Sequence, residues 1–244
     1  MTNTFGEAVA RYLEKHGFEQ FSPKAVLFDM DGVIYDSMPN HAYSWVEAMK
    51  QVGLVMEPED AYKYEGMRGV ETIKLLARQQ WHRDISDHQA AQYYAIKTCI
   101  FASRPQAPKM DGVELLMQRI KAVGLQIGVV TGSGQATLLD KLESDFPNLI
   151  HRRYVISSTD VQRGKPAPDP YLKGLQRLGS LSPWEAIVVE NAPLGVRAAQ
   201  AARIFTIAVN TGPLPDYMLT DEGANLLFPR MTDVVEAVDS LLRP

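Results

Sequence analysis

Two aspartates one residue apart, Asp29 and Asp31, stand directly after the apolar run Val26-Leu27-Phe28 and directly before Gly32. Carboxylates this close repel each other, so they need a compensating cation, a shared proton or a network of hydrogen-bond donors. A hard divalent ion with oxygen ligands, Mg²⁺ above all, is the simplest of the three. Asp and Gly are also ordinary turn residues, and DxDG taken alone fits a plain turn after a strand.

Three later segments end in the same manner. The run Ile127-Gly128-Val129-Val130 leads into Thr131-Gly132-Ser133-Gly134. Its hydroxyls and backbone N–H groups can meet phosphate oxygens, or simply make a tight strand-to-helix connection. Lys165 sits in the proline-stiffened loop Arg163-Gly164-Lys165-Pro166-Ala167-Pro168, where its ammonium can neutralise a phosphate or a carboxylate or remain solvated. The run Ala186-Ile187-Val188-Val189 ends in Glu190-Asn191-Ala192-Pro193. The oxygens of Glu190 and Asn191 suit a metal shell, while Asn191 is equally able to cap a helix.

The elements that must position these residues follow from hydropathy patterning. Strands are expected at Val26–Phe28, Gln126–Val130, Tyr154–Ser157, Ala186–Val189, Ile204–Val209 and Leu226–Phe228. Helical periodicity intervenes at Gln135–Leu142, Asp169–Leu178, Leu194–Ala202 and Thr232–Leu242, and Phe5–His16 predicts a further N-terminal helix. Alternation of this kind predicts an α/β fold, a doubly wound, Rossmann-like parallel sheet with helices on both faces. Such a sheet places ligands at the carboxyl ends of its strands, where the four motifs fall.

One long interruption breaks the alternation. From about Pro39 to Ser103 apolar residues recur at helical spacing, through Tyr43, Val46 and Met49 and later Ile73 and Leu76, which predicts about four helices. The segments Ser37-Met38-Pro39-Asn40 and Ser103-Arg104-Pro105-Gln106 suit hinges. The expected organisation is a discontinuous core, 1–37 and 106–244, with a helical cap over 38–105.

Composition narrows the class of function. The chain has 244 residues, 45% of them hydrophobic, enough for a real core. A formal net charge of -4 offers no electrostatic footprint for nucleic acid or an anionic membrane. The single Cys99 rules out an intrachain disulfide framework and fits a reducing compartment. No run approaches a membrane span and the N-terminus does not resemble a signal peptide, so a cytoplasmic protein is expected. Oligomeric state cannot be read from the sequence.

DxD, Thr, Lys and Glu-Asn at four successive strand ends resemble the haloacid dehalogenase superfamily. Within it, the chain is similar to the β-phosphoglucomutase-like branch. That match is carried by Asp29-Met30-Asp31-Gly32-Val33-Ile34-Tyr35-Asp36-Ser37, by His41 and Trp45, and by Glu190-Asn191-Ala192-Pro193-Leu194-Gly195. The resemblance implies phosphoryl transfer through an aspartyl-phosphate, with Asp29 as nucleophile and Asp31 as general acid and base. It further implies that Thr131, Gly132 and Ser133 hold phosphoryl oxygens and that Lys165 balances charge. The Mg²⁺ would be held by Asp29, the backbone carbonyl of Asp31 and Asn191, with Glu190 a ligand or an orienting neighbour. Many relatives carry aspartate where this chain has Asn191, which gives the metal one fewer negative charge.

For the cap, the resemblance directs attention to Tyr64-Glu65-Gly66-Met67-Arg68-Gly69. The sugar-phosphate mutases of this branch usually carry lysine where Glu65 stands and arginine where Gly69 stands. A mutase must hold a second phosphate in its cap, so a carboxylate there argues against one, although Arg68 and Lys97 offer compensating charge. Glu65 instead resembles the pattern of a pyrophosphate-cleaving member of the branch. His41 and Trp45 share one helix face, and a histidine at that point helps to position the acid and base in the mutases. The reading implied is a Mg²⁺-dependent phosphohydrolase of a small phosphorylated substrate, either pyrophosphate or a sugar phosphate. The alternatives are β-phosphoglucomutase activity and a non-enzymatic phospho-acceptor switch.

Overall fold

Six strands, β1 Ala25–Phe28, β2 Gln126–Val130, β3 Val155–Ile156, β4 Ala186–Glu190, β5 Phe205–Val209 and β6 Leu226–Phe228, carry the fold. The structure, a computed structural model, describes residues 4–134 and 136–242. All pairings are parallel, in the order β3-β2-β1-β4-β5-β6. Chain order reverses between β1 and β4, which opens a crevice at the carboxyl ends of the two strands that carry Asp29 and Asn191.

Period-two alternation explains why so short a strand as β1 is apolar throughout. Val26 and Phe28 join one hydrophobic layer, and Ala25 and Leu27 join the other. The first layer is closed by α1 Thr4–His16, α6 Val113–Ala122, α7 Ala136–Asp145 and α11 Met231–Leu242. The second is closed by α8 Asp169–Arg177 and α9 Pro193–Ala201, and α10 Tyr217–Thr220 packs beside α9 through Leu219. The doubly wound sheet expected from the sequence is the observed architecture.

Between β1 and α6 lie α2 Met38–Gln51, α3 Pro58–Lys63, α4 Gly69–Trp81 and α5 Asp87–Ala102. They enclose a hydrophobic cluster of their own, which includes Trp45, Met49, Leu54, Ile73 and Leu76. Each fully buried side chain of this kind contributes about 1.5–3 kcal/mol, so the insert is held together from within. The two connecting segments are tied to each other: Asp36 N donates to Pro108 O at 3.0 Å and Met110 N to Ile34 O at 2.8 Å. The Asn40 side chain on α2 also reaches Pro105 O, at 2.9 Å.

The sequence differs from the structure at a few ends. β3 is shorter than the expected Tyr154–Ser157 because Tyr154 closes one 3-10 turn and Ser157 opens another, with its N–H and hydroxyl both donating to Asp160. Gln135, expected to open a helix, lies outside the described residues. Helix α6 was not among the expected elements, although Val113, Leu116, Met117 and Ile120 follow helical spacing and are buried. Among the described residues no helix is long and apolar enough to cross a membrane.

Candidate active site

The site is assembled around one ammonium group. Lys165, buried, donates to Asp29 Oδ1 at 2.5 Å, to Glu190 Oε1 at 2.6 Å and to the Val130 carbonyl at 3.1 Å. Three strand ends, β1, β2 and β4, therefore meet at a single side chain. Burial acts to lower the Lys165 pKa, but the carboxylates of Asp29 and Glu190 outweigh it and hold the lysine charged. Burial pushes Asp29 up to about 7, against the pull of Lys165 and with help from the charges of Glu190 and Asp31.

Glu190 has both oxygens engaged. Oε1 accepts from Lys165 and from the Tyr171 hydroxyl at 2.7 Å, and Oε2 accepts from the N–H groups of Asn191 at 2.9 Å and Ala192 at 3.2 Å. Of the two positions open to it, ligand or orienting neighbour, this arrangement is the orienting one. The carboxylate also explains Gly195, since a Cβ there would fall 1.8 Å from Glu190 Oε1.

Two buried oxygens, Asp29 Oδ2 and Asn191 Oδ1, have no hydrogen-bond partner among the described residues. Unpaired buried oxygens are costly and call for a partner. A carboxylate and an amide oxygen on neighbouring strand ends form a donor set for a hard cation, so these residues fit Mg²⁺. Among the described residues no cluster of three or more His, Cys, Asp or Glu forms a metal cage. A cation here would draw further ligands from backbone carbonyls, water and substrate.

Asp31 turns its side chain the other way. Its Oδ1 accepts from Ser37 Oγ at 2.6 Å and pairs with His41 Nε2 at 3.1 Å, while His41 Nδ1 lies 2.8 Å from Lys97 Nζ. An ammonium can only donate, so Nδ1 is the acceptor and the proton of neutral His41 sits on Nε2, aimed at Asp31. Burial and then Lys97 push His41 below its ordinary pKa, which favours that neutral form. Burial works against the charge of Asp31, but His41, Ser37 and Lys97 prevail and hold it below the usual carboxylate range. Through Oδ1 the Asp31 carboxylate is thus tied to Ser37 and to His41 of the helical insert.

The Thr131 loop complements this charge. Thr131 Oγ1 accepts from Ser133 N at 3.0 Å, which leaves the hydroxyl proton for an incoming oxygen. Gly132 and Ser133 line a cavity of about 40 Å³ together with Asp31, Glu65, Tyr94 and Lys97. That volume holds a few water-sized groups, the scale of one phosphoryl unit. His41 and Trp45 face the same space.

The loop that brings Glu65 into this cavity lies close on the core. Gly66, at φ +86°, passes over Lys165 so tightly that a Cβ would sit 2.8 Å from Lys165 Cδ. Burial, followed by the charges of Asp31 and Asp29, pushes Glu65 up to about 8. Arg68 does not face the cavity: its guanidinium donates to Gln162 O on the core at 3.1 Å, so it ties the loop down instead of reaching a substrate. Gly69 opens α4 against the Tyr94 ring, with room for no side chain, since a Cβ would fall 2.0 Å from Tyr94 Cε2.

The structure thus brings together Asp29, Asp31, Thr131, Gly132, Ser133, Lys165, Glu190 and Asn191, with His41 and Glu65 above them, and directs only Arg68 elsewhere. It adds Tyr94 and Tyr171 to the site and sets Lys97, the compensating charge named from the sequence, against His41. Lys97 carried the one legible signal, a lysine in an otherwise apolar stretch of helix; burial lowers its pKa to about 8. The two tyrosines read in sequence as ordinary packing residues.

The haloacid dehalogenase-like hydrolase family model matches residues 26–209. Hexitol phosphatase A of Escherichia coli is 29% identical over 187 residues, covering 77% of this chain and 83% of that one. β-Phosphoglucomutase of Bacillus subtilis is 25% identical, over 78% and 84% of the two chains. "Putative pyrophosphatase PpaX" of Caldanaerobacter subterraneus is 25% identical, over 88% and 94%. A solved structure, "Putative beta-phosphoglucomutase from Bacteroides vulgatus", superposes with a TM-score of 0.95 at 46% identity, over 99% of this chain and 98% of that one. With the model covering most of the chain, and with Asp29, Thr131, Lys165 and Glu190 gathered at the strand ends, the chain belongs to the haloacid dehalogenase-like hydrolases.

Proposed function

We propose that this enzyme is a Mg²⁺-dependent phosphohydrolase that works through an aspartyl-phosphate on Asp29, with inorganic pyrophosphate as its leading substrate. The observation that carries the choice of substrate is the small cavity between Asp31 and the insert, with Glu65 inside it and the Tyr94 ring across the space at Gly69. A hexose ring does not fit that space, whereas a second phosphoryl unit does. Residues 38–105 serve as the cap that encloses it, and a reducing, cytoplasmic setting suits the lone cysteine.

Asp29, Asn191 and the backbone carbonyl of Asp31 would hold the Mg²⁺, which when bound offsets the repulsion between an anionic nucleophile and an anionic phosphoryl group. Asp29 attacks phosphorus as the bond to the leaving oxygen breaks, with Lys165 balancing the charge on the carboxylate. The Thr131 hydroxyl and the Gly132 backbone donate to the equatorial oxygens, with Ser133 N–H orienting the Thr131 hydroxyl. Asp31, held ionised by Ser37 and His41, then accepts a proton from the water that cleaves the aspartyl-phosphate. An ionised Asp31 suits a phosphate leaving group, which departs as a stable anion. A sugar alkoxide depends far more on an acid.

A second reading, a sugar phosphatase or mutase, is favoured by one observation. A groove of about 260 Å³ runs from Asp31 past Tyr35, Phe101 and Leu138 towards Arg104 and Lys141, large enough for a sugar ring. Two relatives, a hexitol phosphatase and a β-phosphoglucomutase, act on such compounds by name. The discriminating experiment measures phosphate release with Mg²⁺ from pyrophosphate and from a panel of sugar phosphates, alongside isomerisation of β-glucose 1-phosphate. The expected result is fast pyrophosphate cleavage with negligible isomerisation, lost selectively in Glu65→Lys. Efficient isomerisation with little phosphate release overturns it.

A further inference from the structure

All three protons of the Lys165 ammonium have acceptors, Asp29 Oδ1, Glu190 Oε1 and Val130 O. Its aim at Asp29 therefore depends on where Glu190 Oε1 stands. Two groups donate to that oxygen, Lys165 itself and Tyr171 on α8, at 2.7 Å, while the backbone N–H groups of Asn191 and Ala192 hold Oε2. Tyr171 is fully buried in the second hydrophobic layer, with Leu27, Val130 and Leu175. Its ring centroid also lies 5.1 Å from the Lys165 nitrogen, within range of a cation–π contact. Towards a carboxylate oxygen, which can only accept, the Tyr171 hydroxyl is the donor.

We propose that Tyr171 is a positioning residue for phosphoryl transfer: through Glu190 it fixes the Lys165 ammonium on Asp29 Oδ1 and leaves Asp29 Oδ2 free. It touches neither substrate nor metal. Without its proton, Glu190 Oε1 satisfies itself by drawing Lys165 away from Asp29. A shift of a few tenths of an ångström there weakens the charge balance at the nucleophile for every substrate alike. The proposal rests on the phosphohydrolase reading of the same site.

The test compares wild type, Tyr171→Phe and Leu175→Ala, each with Mg²⁺ and saturating pyrophosphate, and each with its melting temperature recorded. Tyr171→Phe keeps the ring and its packing and removes one oxygen. Leu175→Ala loosens the same layer from the same helix without touching Glu190, and so reports what loss of packing alone does to turnover. The expected result is a fall in kcat of about tenfold in Tyr171→Phe, the scale of one hydrogen bond to a charged group, with KM unchanged. Leu175→Ala is expected to melt lower than Tyr171→Phe yet keep kcat within about twofold of wild type. Tyr171→Phe with wild-type kcat overturns the proposal, as does Leu175→Ala with an equal loss of kcat. Wild-type protein that releases no phosphate from pyrophosphate or from any sugar phosphate overturns the phosphohydrolase reading itself.

Discussion

Glu65 carries an acid into a space already bounded by Asp31 and within reach of the charge of Asp29, and the consequence is measurable without a substrate. Its pKa of about 8 in the folded chain lies above the ordinary 4.5. The folded chain therefore keeps a proton that the unfolded chain has released, and the stability this represents is complete below pH 4.5 and lost as pH rises through about 8. In metal-free protein, Glu65→Gln, which is neutral at every pH, is expected to melt with wild type near pH 4 and several degrees above it near pH 9. Equal melting temperatures at both ends of the range contradict the buried placement of this carboxyl. At this scale, the residues legible in sequence were those tied to strand ends: Asp29, Asp31, Thr131, Lys165, Glu190 and Asn191. Tyr94 and Tyr171 were not, because each sits within a helix whose apolar periodicity accounts for it fully, and Lys97 was legible only as a compensating charge in the insert. Only tertiary contact shows that Lys97 meets His41 and that Tyr171 meets Glu190.

The elements divide the work between strand ends and the loop that packs over them. The parallel strands fix Asp29 and Thr131 by backbone bonds to Val189 and Ile156, and Asn191 is held by its N–H on the Glu190 carboxylate, whereas Glu65 rides on a loop between α3 and α4 whose path depends on Gly66. Gly66→Ala is expected to cost about 1 kcal/mol or more in stability, because φ +86° strains any other residue. It should also lower kcat several-fold, since the new methyl group contacts the Lys165 side chain. A variant that melts lower but turns over at the wild-type rate shows that the loop does not press on Lys165 during the reaction. Element type was legible wherever an apolar run was bounded by turn residues, and the ends slipped where local hydrogen bonds decide them. β3 lost two residues to flanking 3-10 turns, and α6 was overlooked although its four buried positions follow helical spacing.

Across the whole molecule, the insert and the sheet each have their own hydrophobic cluster. Among the described residues, the polar contacts that join them include the Asp31 to His41 pair and the Arg68 to Gln162 bond. Under the proposed function, Mg²⁺ held by Asp29 and Asn191 would favour the folded state by mass action, by about 2.7 kcal/mol at a hundred times its dissociation constant. For a chain of this length that is a rise of roughly 5–10 °C in melting temperature. Asp29→Asn and Asn191→Ala should each remove most of the rise, and an unchanged rise in both places the metal elsewhere. The division into sheet and helical insert was visible from the gap in β–α alternation, but the volume of the cavity between them was not, since it depends on how the Glu65 loop and Tyr94 close on the core.

Passage of phosphorus through Asp29 is tested by rapid acid quench of the enzyme during turnover of labelled pyrophosphate with Mg²⁺, followed by mapping of the phosphorylated peptide. A base-labile phosphoryl group is expected on Asp29, formed and consumed at rates no slower than kcat, and absent from Asp29→Asn. Phosphate release at full rate with no label on Asp29, or a turnover rate in Asp29→Asn close to wild type, contradicts it.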